Sequence, residues 1–198
     1  MAPKQTQRIG IFLALALVMS ATRLHHFDAL PDASWAVFFL GGYWLRGSTR
    51  WAFPILMGLT VLVDFFVITR AGISFFDHYC VSAAYWMLAP AYLSLWIGGN
   101  WLAKHQRGLG LRTLGLAIAA LLVSEFVCYL LTNGSYYWMS ATVPQPRSMA
   151  NWFANFGDWY LLFLKTTAIY VAVGAVLHVV VTQLAGTLKA GQQHDAKQ

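Results

Sequence analysis

Residues 111–132 read LRTLGLAIAALLVSEFVCYLLT, with Arg112 at the start and Glu125 as the single charge further in. A run of this length matches the roughly 20 apolar residues that a helix needs to cross a bilayer core. Outward from it, five more segments follow the same pattern, at about 9–27, 33–46, 51–69, 76–97 and 159–185. The composition agrees, since 59% of the 198 residues are hydrophobic and 10% are charged, against about 25% charged in a soluble domain. Such a chain cannot cover its surface in water. The expected fold is all-α: a polytopic membrane protein with six transmembrane helices in a single domain over 1–198.

The first segment follows Lys4 and Arg8 and ends in Ser20-Ala21-Thr22, which also reads as a cleavable signal peptide; here it is counted as a retained helix. The second is short and interrupted by Gly41-Gly42, as suits a tilted or barely spanning helix. Counting Lys and Arg at alternate ends gives nine on one side (Lys4, Arg8, Arg46, Arg50, Lys104, Arg107, Arg112, Lys189, Lys197) and three on the other (Arg23, Arg70, Arg147). Because the richer side faces the cytoplasm, both termini are expected there. The net charge of +6 is thus explained by orientation in a lipid bilayer. Its cations sit singly at the ends of apolar runs, not in the stripe that nucleic acid requires. Two cysteines, Cys80 and Cys128, exclude a disulfide scaffold and a multi-cysteine zinc module.

The outer side collects Asp28, Asp32, Asp77, Asp158, His25, His26, His78 and the longest predicted loop, 133–158. Asn133-Gly134 and Pro144-Gln145-Pro146 punctuate that loop, and Tyr136, Tyr137, Trp138, Trp152, Phe153, Phe156 and, at its end, Trp159 crowd it. Two readings stand: an interfacial aromatic belt, or a mobile lid over a large, flat ligand. Arg147 is the loop's only cation, either a partner for an anionic group or a plain interfacial charge. Asp64, Glu125 and Lys165 fall inside apolar runs, where a charge must be paired or reach water. All three are expected to face the bundle interior, with interhelical pairing preferred to a proton relay. Ala14, Ala16, Ser20 and Ala21 form a small-residue patch on the first helix. His178 falls near the inner end of the sixth helix, far from His25 and His26, so these do not share a haem.

The most informative chemistry lies in Phe75-Phe76-Asp77-His78-Tyr79-Cys80-Val81-Ser82-Ala83-Ala84. Asp77 reads as the N-cap of the fourth helix, which puts Cys80 in the first turn, where the helix dipole and unpaired N–H groups favour a thiolate. Ser82-Ala83-Ala84 leaves space beside the sulfur. A buried, inert thiol is the competing reading, and it suits Cys128.

Six short helices, both termini inside, an aromatic outer loop and one cysteine at the outer start of the fourth helix together resemble the BtuM family of small bacterial vitamin B12 transporters. That family is similar to the solitary S-components of energy-coupling-factor transporters. The resemblance implies an S-component-like bundle in the bacterial inner membrane that takes up cobalamin from the periplasmic side. It implies Cys80 as the ligand to cobalt, with the dimethylbenzimidazole base displaced. The sequence departs from the Ala-x-x-x-Ala pattern by which S-components dock on their energising module, offering only Ala16 and Ser20. It therefore leaves open an energy-coupling-factor module or work without one.

A soft thiolate is a strong donor to a transition metal, so a corrin needs one protein ligand only. Position alone offers Tyr79, Ser82, Tyr85, Tyr137, Arg147, Asn151 and Asp158 as further contacts. Charge donated by Cys80 through the metal weakens the bond opposite, so removal of the upper cyanide of cyanocobalamin is an accompanying expectation. The alternative is an outer-face zinc- or copper-binding protein or enzyme built on His25, His26, His78 and Cys80 with Asp77, although no His-Glu-x-x-His is present.

Overall fold

The computed structural model describes residues 5–24, 31–78, 81 and 83–195, the side chains of Asp77 and 188–195 excepted. Among these the regular structure is entirely helical: α1 (Gln5–Leu24), α2 (Ser34–Trp44), α3 (Thr49–Arg70), α4 (Leu88–His105), α5 (Leu111–Met139) and α6 (Met149–Asp195). Two short 3-10 segments, Phe75–Asp77 and Ala83–Met87, precede α4. Four stretches are long and apolar enough to cross a membrane, namely α1, α3, α5 and Met149–Thr187 of α6. The chain is a helical membrane protein.

Three contacts define one end of the bundle. Arg8 donates to Ser48 at 3.3 Å, Arg46 donates to the Ala103 carbonyl at 2.6 Å, and Trp44 donates to His178 at 3.3 Å. The start of α1, the α2–α3 turn, the end of α4 and α6 at His178 therefore lie together, and consecutive helices alternate in direction. We call this the basic end. At the opposite end Arg23, Asp32, Asp64 and Tyr85 meet.

α2 occupies the centre, where the short second segment was expected to tilt or barely span. At 1.5 Å per residue its 11 residues reach only about 16 Å, well short of a bilayer core. Nine consecutive residues, Ser34 through Gly42, are buried, so α2 is a core helix wrapped by the others. Gly41-Gly42 is no interruption but the reason α2 can pack against α4. A Cβ on Gly42 would lie 2.0 Å from the Trp96 carbonyl oxygen, and one on Gly99 1.9 Å from that of Phe39. Such backbone proximity is how small residues hold membrane helices together. The patch on α1 plays no comparable part, because Ala14 is exposed and Ala16 and Ser20 are only half-buried. Around the α2–α4 contact, Phe38, Phe39, Tyr92, Leu95, Trp96 and Tyr129 fill the core.

The fourth segment, expected over 76–97, is corrected. Asp77 closes a 3-10 turn and α4 begins at Leu88, so Asp77 does not cap α4 and residue 80 precedes that helix by eight positions. The dipole argument for a Cys80 thiolate therefore does not hold. The loop expected over 133–158 is corrected as well. α5 continues to Met139 and α6 starts at Met149, leaving only 140–148 as connection. A single glycine is tolerated inside a long helix, and Asn133 is used across helices rather than in a turn. Its amide donates to Asn155 at 2.9 Å and accepts from Trp152 Nε1 at 2.9 Å.

Candidate functional site

Opposite the basic end, a cavity of about 210 Å³ opens between α1, α3, the segment before α4 and the end of α5. Its polar lining is Arg23, Asp64, His78, Tyr85, Thr132 and Ser135, with Tyr136 beside them. The polar floor is a charge cluster drawn from four elements. Arg23, near the end of α1, grips Asp64 of α3 in a two-pronged pair, Nε to Oδ1 at 2.6 Å and Nη2 to Oδ2 at 2.8 Å. Its Nη1 also meets Asp32 at 2.7 Å, Ser34 at 3.1 Å and the Tyr92 hydroxyl at 3.3 Å.

The second Asp64 oxygen accepts from the Tyr85 hydroxyl at 2.6 Å. Burial, aided by the Asp64 charge, pushes the Tyr85 phenol well above its ordinary pKa of 10.0, which keeps the donor protonated. Asp32 in turn organises the start of α2, accepting from the Ser34 backbone N–H at 2.8 Å and from its hydroxyl at 2.6 Å. A guanidinium between two carboxylates is a planar, fixed arrangement, and of the two carboxylates Asp64 is the one that lines the cavity.

Of the expected site residues, the cavity brings in Tyr85 and His78; His78 is 8% exposed. Tyr79, Cys80 and Ser82 lie outside the described residues, as do His25, His26 and Asp28. His78, Ala84 and Tyr85, on either side of the 79–82 stretch, line the same cavity. Among the described residues no group of three potential metal ligands occurs.

Tyr137, Arg147, Asn151 and Asp158 do not line the cavity, and the first three serve the α5–α6 connection. The Tyr137 hydroxyl donates to the Ser148 carbonyl at 3.1 Å and accepts its N–H at 3.2 Å. Arg147 donates to the carbonyls of Trp138 and Ser140, so its donors cap the exit of α5 instead of awaiting an anion. The Asn151 side chain is exposed, its backbone N–H donating to the Ser148 hydroxyl at 3.1 Å. Asp158 is exposed on α6.

Of the three charges expected inside the bundle, Asp64 is paired between helices as read, with Arg23 as its partner. Glu125 is wholly buried. Lys165 is exposed on α6, which corrects its interior placement. Cys128 is fully buried, as its inert reading required. The sequence reading missed Arg23 as the centre of the cluster and Thr132, Ser135 and Tyr136 as cavity lining. The signal available was opposite charges in the last two turns of two helices that end on the same side, Arg23 one residue before the end of α1 and Asp64 six before the end of α3.

Neither a protein-family model nor a curated protein matches this chain.

Proposed function

We propose that this chain takes up cobalamin across the bacterial inner membrane, binding it base-off from the periplasmic side with Cys80 on cobalt. In this reading the four long apolar helices cross the membrane, the short α2 is enclosed among them, and both termini are in the cytoplasm. The observation that supports it is the cavity bounded by residues on both sides of the 79–82 stretch, at the end of the bundle opposite the basic end. Arg8, Arg46, Arg50 and Lys104 belong to the basic end, the cytoplasmic one by charge asymmetry. In this reading the cavity faces the periplasm.

At about 210 Å³ the cavity is smaller than the 300–1,000 Å³ of sites for drug-sized ligands. A corrinoid enters only when the segment before α4 and the end of α5 part. Tyr85, Thr132, Ser135 and the Asp64 carboxylate then offer hydrogen bonds to the corrin's amides, and Tyr136 an aromatic face. The thiolate supplies the axial electron pair. With cyanocobalamin, cyanide leaves as an anion and takes up the proton the thiol gave, a ligand exchange with no change of oxidation state. The test is to purify the protein from cells grown with vitamin B12 and record its visible spectrum. A corrinoid spectrum at one equivalent supports the reading; colourless protein from cells replete with the vitamin refutes it.

A further inference from the structure

Among the described residues the carboxyl group of Glu125 is anomalous. It sits in the middle of α5, is 0% exposed, and neither of its oxygens has a hydrogen-bond partner. Three of the donors around it are committed elsewhere. The Ser124 hydroxyl donates to the Ala120 carbonyl at 2.7 Å, and Ser94 of α4 donates to the Ala91 carbonyl at 2.7 Å. The Tyr129 hydroxyl donates to the Phe156 carbonyl at 3.2 Å. The remaining donor beside the carboxyl is the neutral Tyr160 hydroxyl of α6, which is directed at it. The cations of the spans do not serve it, because Arg23 is held by Asp32 and Asp64 and Lys165 is exposed.

An ionised carboxylate there would be an uncompensated buried charge, costing several kcal/mol even after relaxation. A protonated one loses only part of its hydrogen bonding. Burial without a cation therefore favours the neutral acid in this conformation.

We propose that Glu125 is a proton-binding site that couples proton movement to the transport cycle. The inference rests on the uptake reading for what is coupled, and on Glu125 alone for the proton. The titratable groups facing it define the route. Cys128 and Tyr129 lie on its own helix, and α6 contributes Tyr160. From α4, wholly buried Tyr92 interacts with Cys128 and with the Arg23 cluster. The segment before α4 contributes Tyr85, bonded to Asp64. Tyr92, bonded to Arg23 at 3.3 Å and close to Cys128, stands between the buried acid and the cavity floor, while Tyr160 faces the acid across the α5–α6 contact. When that contact opens, the carboxyl O–H breaks and its proton passes to water; when it closes, a proton from the cavity side restores the acid. No electron is transferred.

The test has two parts. Infrared absorption of the purified protein at neutral pH should show the carbonyl band of a buried carboxylic acid, absent in Glu125→Gln. In proteoliposomes, an inward gradient of one pH unit should raise cobalamin accumulation by up to about tenfold, the equilibrium limit for one proton. Glu125→Gln should bind cobalamin as before and ignore the gradient. An ionised Glu125 at neutral pH, or an equal gradient response in wild type and Glu125→Gln, overturns the proposal. Wild-type uptake that ignores the gradient also overturns it, leaving uptake itself intact. Failure of the wild type to bind cobalamin removes the uptake reading instead, and the infrared band still decides the proton site.

Discussion

Arg23 satisfies two carboxylates, a serine and a tyrosine with one guanidinium, and this makes the cavity floor sensitive to single changes. Asp64→Asn replaces a charge-assisted fork with a weaker neutral contact and strands the Tyr85 hydroxyl. The pair is 12% and 16% exposed, so the buried-pair penalty is reduced by solvent. We expect a loss of about 2 kcal/mol, the scale of a hydrogen bond to a charged group, read as a lower melting temperature in detergent. Tyr85→Phe should cost about 1 kcal/mol in the same assay. The Tyr85 phenol is raised in the folded state, so its contribution is present below the ordinary value of 10.0 and fades as pH climbs above it. Tyr85→Phe should accordingly show a weaker alkaline loss of stability than wild type. Asp64 was legible in the sequence as an interior charge needing a partner. Its partner was not, because Arg23 stands at a helix end, where a cation reads as an interfacial anchor.

At the scale of elements, the joint between α2 and α4 depends on glycine. Gly99→Ala drives a methyl into the Phe39 carbonyl, at 1.9 Å, and should cost at least the 1–3 kcal/mol typical of overpacking, roughly. Gly58→Ala, where a Cβ meets nothing within 4 Å, should be neutral or stabilising by about 0.5–1 kcal/mol through helix propensity. Equal melting temperatures for the two variants would contradict this packing. The α5–α6 hairpin carries a second expectation. Arg147→Gln releases the α5 carbonyls it caps, so residues 140–148 should be cut faster by protease while cobalamin affinity stays unchanged. Long helices were legible from apolar runs, but their ends were not. Asn133-Gly134 looks like a turn, yet Asn133 bonds Asn155 and Trp152 across the hairpin, and those tertiary partners outweigh the local preference. In α2, Gly41-Gly42 read as a break for the same reason, since its Trp96 partner lies more than 50 positions away.

For the whole molecule, composition alone made a helical membrane protein legible, because 59% hydrophobic residues leave no other solvent for the chain. Alternation of helix direction brings the start of α1 and the end of α6 to the basic end. A reporter fused after Gln198 should therefore be active in the cytoplasm and silent in the periplasm. The central claim is that one sulfur, that of Cys80, holds the ligand, while Cys128 lies sealed in the core. The most direct measurement is a titration of purified wild type, Cys80→Ala and Cys128→Ala with cobalamin, followed by visible absorption. The account predicts a base-off, thiolate-ligated spectrum and cyanide release in wild type and Cys128→Ala, with both lost in Cys80→Ala. The same spectrum in Cys80→Ala, or its loss in a folded Cys128→Ala alone, would contradict it.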